Sequence, residues 1–224
     1  MSLLTPRFEI LPPAQRRLWP ELRPALNLGF VLYGGTALAL RLGHRPSIDF
    51  DFFTEKSLDR NILSQAFSFF SQSLVLQDER NALTLLVPYI DTDRAGVKVS
   101  FFGEIGFGRI ATPDLTVDGI MQVASADDLM ATKLKVILQR AEAKDYKDIA
   151  AMIQDGVSLA KGLSSARAVF GLAFQPSESL KALTYFGDGD LATLAIAEKN
   201  ILLTAVKAVG ELPSVSILSK VLRA

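Results

Sequence analysis

Two aspartates, Asp49 and Asp51, are the residues of this chain best suited to metal chemistry. They alternate with the apolar residues Phe50 and Phe52 in the stretch SIDFDFF, a pattern typical of a strand with one buried face. On such a strand the Cα atoms of the two aspartates lie about 6 to 7 Å apart and both side chains point the same way. Carboxylates this close repel each other unless a cation lies between them, and Mg²⁺ prefers oxygen ligands of this kind. A solvated strand face is the alternative interpretation.

A glycine turn precedes the acids. Gly34 and Gly35 follow the apolar stretch FVLY, and Thr36 opens the stretch TALALRLG. Glycines between a strand and a helix let a ligand approach the backbone, and the N–H groups at a helix N-terminus bind anions. Thr36 is suited to cap the helix or to donate its hydroxyl to a phosphate; a purely steric turn is the alternative. The interval from Thr36 to Asp49 accommodates one short helix and a return into a neighbouring strand, so the turn and the acids are expected to face each other.

A second set of charged residues lies near residue 140. The stretch SADDLMATKLKVILQR begins with a capping signal at Ser125 and Asp128 and predicts a helix to about Arg140. On a helix that continues, Lys133, Arg140 and Lys144 fall within about 40° of each other. They would form a row of cations suited to a polyphosphate, although a solvated helix edge is the alternative.

Asp145 and Asp148 follow in the stretch KDYKD, one helical turn apart. Two roles are open to them from the residues alone. They bind a metal or act as a base, or they pair with neighbouring cations such as Arg140, Lys144 or Lys147.

The elements that must position these residues are predicted from periodicity. Strands are predicted at FVLYGG, SIDFDFF, LVLQDE, ALTLLVPYI and GVKVSFF. Helices are predicted over 14–28, where two prolines interrupt, over TALALRLG and over 58–71, and from 125 onward every pattern is helical. The stretch ATPDLTVDGI predicts a connecting loop. We therefore expect an α+β fold, with a mixed-sheet domain over 1–124 and a helical domain over 125–224 that carries the second set of charges.

These motifs resemble a known family. Gly-Gly-Thr, followed about a dozen residues later by two aspartates alternating with apolar residues, is similar to the signature of DNA polymerase beta-type nucleotidyltransferases. The fuller string GGTALALRLGHRPSIDFDFF resembles more closely the AbiEii/AbiGii toxin family of that superfamily. The family carries a second motif on a helix after the sheet: a lysine, an arginine and then Lys/Arg-Asp-x-x-Asp. Lys133, Arg140 and the stretch KDYKD match it.

The resemblance implies a nucleotidyltransferase-type mixed sheet with flanking helices. It implies transfer of a nucleotidyl group from a nucleoside triphosphate to an acceptor hydroxyl, with Mg²⁺ as cofactor and pyrophosphate as product. It further implies a toxin role, with tRNA or another RNA as acceptor and a separately encoded antitoxin. The residues that it assigns to catalysis are Asp49, Asp51, Lys133 and Asp145, with Asp49 and Asp51 as metal ligands. Those assigned to nucleotide binding are Gly34, Gly35, Thr36, Ser47, Arg140 and Lys144.

One position departs from the superfamily pattern. Enzymes of this kind usually carry a third carboxylate on a later strand, here predicted at GVKVSFF, where Ser100 occupies the expected acid position. A serine cannot replace a carboxylate as a metal ligand or as a base. Asp145 or Glu104 could substitute, the site could use one metal, or the chain could bind nucleotides without transferring them.

Composition narrows the classes of function. Lys and Arg together number 24 and so do Asp and Glu, so no net charge directs the chain to nucleic acid or to anionic lipid. The chain has no cysteine, which excludes disulfides and thiolate metal sites. No stretch reads as a signal peptide or a membrane span, so a cytoplasmic protein is expected. A purely structural interaction module, in which the glycines only make a turn, remains a further alternative.

Overall fold

The protein, described by a computed structural model over residues 2–88 and 96–224, has an α+β fold. Within those residues eight strands form one mixed sheet in the order β1-β7-β8-β2-β3-β6-β5-β4. The strands are β1 (Leu3–Leu4), β2 (Val31–Tyr33), β3 (Asp49–Phe53), β4 (Leu74–Glu79), β5 (Ala82–Val87), β6 (Val97–Phe102), β7 (Asp114–Thr116) and β8 (Gln122–Val123). The helices are α1 (Pro13–Leu18), α2 (Pro24–Leu28), α3 (Gly34–Leu42), α4 (Arg60–Ala66), α5 (Ala126–Val136), α6 (Ala143–Gln154), α7 (Leu159–Phe170), α8 (Pro176–Ala182) and α9 (Ile196–Lys207).

Contacts divide the chain into two compact units. The first comprises the described residues up to Gly108, Thr112–Ala124 and Lys220–Ala224, and it contains the whole sheet. The second comprises Arg109–Ala111 and Ser125–Ser219, and it contains α5 to α9. Within residues 2–88 and 96–224, no helix is long and apolar enough to cross a membrane.

The sheet is held on one face by an aromatic core. Phe50 and Phe52 of β3 are fully buried, as their alternation with the aspartates predicts. Phe101 of β6 packs against Phe52 with ring centroids 5.6 Å apart and against Phe67 at 5.0 Å. Each such buried side chain contributes about 1.5 to 3 kcal/mol relative to an exposed one. The same burial fixes the register of β3, because a shift of one residue would place its phenylalanines on the polar face.

Several predicted elements differ from those observed. The prolines do interrupt the first helical segment, which forms α1, a 3₁₀ turn and α2. The helix predicted over 58–71 is shorter: α4 begins after Asp59, whose carboxylate accepts the N–H groups of Asn61 and Ile62, and it ends at Ala66. The strand predicted to continue to Ile90 ends at Val87, before Pro88, and its last two residues lie outside the described residues.

The stretch predicted as a loop, ATPDLTVDGI, contains β7. The prediction failed because strands of two or three residues are too short to show an alternating pattern. β7 and β8 are stabilised by pairing with other strands. β7 pairs with β1 and β8, and β8 also pairs in parallel with β2.

The second unit is built on a capped helix. The hydroxyl of Ser125 accepts the N–H of Asp128 at 3.1 Å, as the predicted capping signal requires. The carboxylate of Asp128 in turn accepts the backbone N–H of Ile110 at 2.7 Å. α5 packs closely against α7, where Gly162 leaves room for the Met130 side chain.

Candidate active site

The two aspartates lie on one face of β3 in the first unit. β3 pairs with β2 in antiparallel register, so that Asp51 is opposite Tyr33, the last residue of β2. Helix α3 begins at the next residue, Gly34. The register therefore places the start of a helix beside the Asp51 carboxylate, as the spacing of the motif predicts.

Gly34 is required at this junction for two reasons. Its φ angle of +74° lies in the left-handed region, which residues other than glycine rarely adopt. A Cβ atom added at Gly34 would also overlap Oδ2 of Asp51. The absence of a side chain thus lets the carboxylate lie against the first turn of α3.

Gly35 makes a second close approach possible. An added Cβ at Gly35 would lie 2.9 Å from Oγ of Ser47 and 3.0 Å from Nη2 of Arg45. A hydroxyl and a guanidinium therefore lie over the first turn of α3, whose leading N–H groups have no acceptor within the helix. Donors of these types, with the positive end of the helix dipole, suit a phosphate.

Thr36 has a different position from the one predicted. Its side chain is fully buried and lies two residues inside α3, so it does not cap the helix. Its hydroxyl donates to the backbone carbonyl of Asp49. The expectation that this hydroxyl contacts a phosphate is not met by that geometry; the side chain instead ties α3 to β3.

The neighbouring strand presents a lysine and a serine to the acids. β6 is parallel to β3, with Lys98 opposite Asp49 and Ser100 opposite Asp51. Nζ of Lys98 lies 3.1 Å from Oδ2 of Asp49. Ser100 is buried, and Thr84 of β5 donates a hydrogen bond of 3.2 Å to its hydroxyl. The strand expected to carry a third carboxylate therefore carries none beside Asp49 and Asp51.

The oxygen atoms of Asp49 and Asp51 fit a divalent cation whose remaining ligands come from a nucleotide. Within residues 2–88 and 96–224, no group of three or more His, Cys, Asp or Glu side chains is placed to hold a metal ion. The site instead offers two carboxylates on one strand, one of them seated against Gly34. Carboxylates in this number are the ligands that Mg²⁺ commonly uses together with phosphate oxygens and water.

The second motif forms a buried ionic cluster in the second unit. Nζ of Lys133 lies 2.6 Å from a carboxylate oxygen of Asp145 and 2.6 Å from one of Asp148. Both aspartates are fully buried, and the Lys133 side chain is only 7% exposed. Buried carboxylates require such pairing, since an isolated buried charge is strongly unfavourable.

Arg140 and Lys144 are placed around the edge of this cluster. Nε of Arg140 lies 2.8 Å from Asp145, and Nζ of Lys144 lies 2.7 Å from Glu142. The expectation that Lys133, Arg140 and Lys144 lie on one continuous helix was wrong: α5 ends at Val136, and α6 begins at Ala143.

The physical reason is the turn between the helices. Bonds from Leu138 and Gln139 back to the carbonyls three residues earlier tighten the end of α5 and reverse the chain. The reversal returns the aspartates of α6 to the lysine of α5, which a single helix could not do.

The charge of Asp145 is stabilised by its neighbours. Burial by itself raises the pKa of this carboxyl, but the hydrogen bond from Arg140 and the charge of Lys133 outweigh it and hold the pKa below its usual value. Pairing with cations, one of the two roles left open from the sequence, is observed for both aspartates. Their role as metal ligands or as a base stays a prediction.

Two further residues, which the family resemblance does not assign, belong to the geometry of the first unit. The sequence suggests a phosphate contact for Arg45, because its loop lies next to the acids, but it suggests no role for Lys98. Arg45 lies over Gly35, and Lys98 pairs with Asp49. The position of Lys98 on the same face of its strand as Ser100 was readable from alternation. Its pairing with Asp49 was not, because it depends on the register of two strands far apart in the chain.

The fold is similar to those of solved proteins of one structural class. The structure is similar to an antigenic nucleotidyltransferase-like protein from Paracoccidioides brasiliensis, with a TM-score of 0.53 and 16% identity, covering 91% of this chain and 94% of that one. It is also similar to MenT4, a nucleotidyltransferase toxin from Mycobacterium tuberculosis H37Rv, with a TM-score of 0.55 and 15% identity, covering 88% of this chain and 83% of that one. At these identities the similarity establishes a nucleotidyltransferase-like fold.

The sequence then specifies the family. Residues 17–193 match the family described as nucleotidyl transferase AbiEii toxin, type IV TA system. The chain belongs to that family. It is also 35% identical over 144 residues to the uncharacterized protein aq_aa25 of Aquifex aeolicus (strain VF5), a match that spans 60% of this chain and 66% of that protein.

Proposed function

We propose that this protein is a Mg²⁺-dependent nucleotidyltransferase that acts as a toxin. It would transfer a nucleotidyl group from a nucleoside triphosphate to a hydroxyl of tRNA or another RNA, and a cognate antitoxin would control it. The observation that carries the proposal is the placement of the Asp51 carboxylate against Gly34, at the start of α3.

In this proposal the first turn of α3 binds phosphate oxygens through its backbone N–H groups. The hydroxyl of Ser47 and the guanidinium of Arg45, both adjacent to Gly35, add donors to the same phosphates. Thr36 acts through the backbone, because its hydroxyl holds the carbonyl of Asp49 and so fixes β3 relative to the helix.

Asp49 and Asp51 would hold Mg²⁺, which supplies positive charge to the triphosphate when bound. During transfer the acceptor oxygen would bond to the α-phosphorus, and the hydroxyl would release its proton to solvent. The bond from the α-phosphorus to the bridging oxygen breaks, and pyrophosphate leaves. The two carboxylates, held in fixed positions on β3, would position the cation to which the reacting phosphate binds.

Calorimetry tests this site directly. Asp49→Asn and Asp51→Asn, singly and together, should greatly weaken binding of Mg²⁺–NTP, because the carboxylates lose the negative charge that holds the cation. Asp78→Asn, at an acid with a 59% exposed side chain on β4, is the matched control and should bind as wild type does. If the double variant binds Mg²⁺–NTP with unchanged affinity, these acids do not form the site.

The cations of the second unit are assigned to nucleotide phosphates by the resemblance, and this remains a proposal. Arg140→Gln and Lys144→Gln should weaken triphosphate binding more than nucleoside binding, since each charged contact contributes about 1.5 to 3 kcal/mol. Both side chains are about half exposed. Lys144→Gln should leave folding intact, whereas Arg140→Gln also removes a partner of the buried Asp145 and should lower stability, so its binding is measured below its unfolding transition. An equal loss for both ligands would assign them a structural role.

The absence of a third acid beside Asp51 supports a second candidate, a nucleotide-binding protein of the same fold without transfer activity. Release of labelled pyrophosphate with a mixed cellular RNA pool separates the two. Turnover that disappears in Asp51→Asn supports transfer, whereas binding of Mg²⁺–NTP with no pyrophosphate release supports the second candidate.

A further inference from the structure

Lys98 occupies a position with a direct consequence for metal binding. It lies opposite Asp49 in the parallel register of β3 and β6, so both side chains are on the same face of the sheet. Its ammonium is 3.1 Å from Oδ2 of Asp49. That distance is within the range of an ion pair reinforced by a hydrogen bond.

In sites that transfer phosphoryl or nucleotidyl groups with two metal ions, the ions lie about 3.5 to 4 Å apart and share carboxylate ligands. A second ion beside Asp49 would need a further acid from the adjacent strand. β6 offers Lys98 and Ser100 there instead. A fixed ammonium bonded to Asp49 both uses one of its oxygens and repels an incoming divalent cation.

We infer that Lys98 takes the place of a second metal ion, so that the site binds one divalent cation together with its nucleotide. This inference rests on the proposed function, since it concerns the same two acids. It assigns Lys98 a positioning role. Its ammonium neutralises Asp49 on the side facing β6, and the cation would bind through Asp51 and the other oxygen of Asp49.

The number of divalent ions bound per chain can be counted without any turnover. Equilibrium dialysis against Mn²⁺ is performed with a saturating NTP analogue whose α–β bridge cannot be cleaved. Wild type should retain one Mn²⁺ per chain in the nucleotide complex. Ser100→Asp should also retain one, because Lys98 remains beside Asp49.

Removing the lysine should create room for a second ion. Lys98→Glu replaces the ammonium by a carboxylate and should retain two Mn²⁺ per chain. The Lys98 side chain is 40% exposed, so this charge change is compatible with folding. Lys98→Met/Ser100→Asp provides a second route to the same result, and Lys181→Glu, at a 74% exposed lysine, is the control of equal charge change that should retain one ion.

The outcomes separate the two proposals. Two Mn²⁺ in wild type or in Ser100→Asp, or one in Lys98→Glu, would overturn the role of Lys98 while leaving the nucleotide site standing. No retention of Mn²⁺ and analogue by wild type would overturn the proposed function itself. One ion in wild type and two in Lys98→Glu is the result expected.

Discussion

Ser100 lies directly opposite Asp51 in the parallel register of β3 and β6. Ser100 occupies the position where a third carboxylate is expected, and Asp51 is one of the two acids that are present. Ser100 is only 2% exposed, and its hydroxyl accepts a hydrogen bond from Thr84. The residue opposite Asp51 is therefore a neutral side chain whose hydroxyl already has a hydrogen-bond partner.

Ser100→Asp should therefore destabilise the protein in the absence of metal. The new carboxylate would be buried and adjacent to Asp51, and leaving a buried polar group without adequate partners costs about 1 to 3 kcal/mol, with more for a charge. Urea unfolding at neutral pH measures the loss. Ser100→Ala, which adds no charge, should lose less; equal stability of Ser100→Asp and wild type would show that a third acid is tolerated there.

Gly34→Ala should weaken both folding and nucleotide binding. The positive φ costs about 1 to 2 kcal/mol for a residue with a side chain, and the added Cβ displaces the Asp51 carboxylate. Gly156→Ala is a matched control, because Gly156 has a φ of +91° but no atom within 4 Å of an added Cβ. Both variants should lose stability, whereas only Gly34→Ala should lose affinity for Mg²⁺–NTP in calorimetry. Equal affinity of the two variants would contradict the role of Gly34.

Lys133→Met should be among the most destabilising single changes in the second unit. It leaves Asp145 and Asp148 buried with one fewer cation, and removing one partner of a buried ion pair costs about 3 to 5 kcal/mol. Lys135→Met, on the same helix but with an exposed contact to the carbonyl of Ala173, should cost far less.

A double-mutant cycle isolates the buried pair. Asp148→Asn combined with Lys133→Met should cost less than the sum of the two single changes, because neutralising the acid removes the uncompensated charge. Additive costs in chemical denaturation would show that Lys133 and Asp148 do not interact as their 2.6 Å separation indicates.

Two acids of the second unit should give opposite dependences of stability on pH. The pKa of Asp145 is held below its ordinary value of 3.8, so its stabilisation is fully present above that value and is lost as pH falls through the lower, folded pKa. Burial raises the pKa of Asp128, which also accepts a hydrogen bond from Ser125. Its contribution is present below 3.8 and is lost as pH rises through the higher, folded pKa.

Urea unfolding between acid and neutral pH measures both contributions. Asp145→Asn should flatten the loss of stability on the acid side. Asp128→Asn should remove a loss that appears as pH rises above the ordinary carboxyl value. If each variant keeps the pH profile of wild type, neither carboxyl titrates differently in the folded and unfolded chain.

The sequence by itself determined the local chemistry of this protein. The alternation of Asp49 and Asp51 with two buried phenylalanines specified a strand and its polar face, since side chains of a strand alternate. The glycines specified a turn into α3, and Ser125 specified the start of α5. Each of these features depends on residues within a few positions of each other, where backbone geometry leaves few choices.

Only the tertiary structure decided which charges meet. Lys98 pairs with Asp49 through the register of two strands, and Lys133 pairs with Asp148 because the chain reverses between α5 and α6. Periodicity carries no information on register or on a tight reversal, so it predicted a cation row on one helix. Burial of the Thr36 hydroxyl against the carbonyl of Asp49 was likewise hidden, because it depends on how α3 packs against β3. Long-range packing thus determines which side chains of the motifs are engaged with each other.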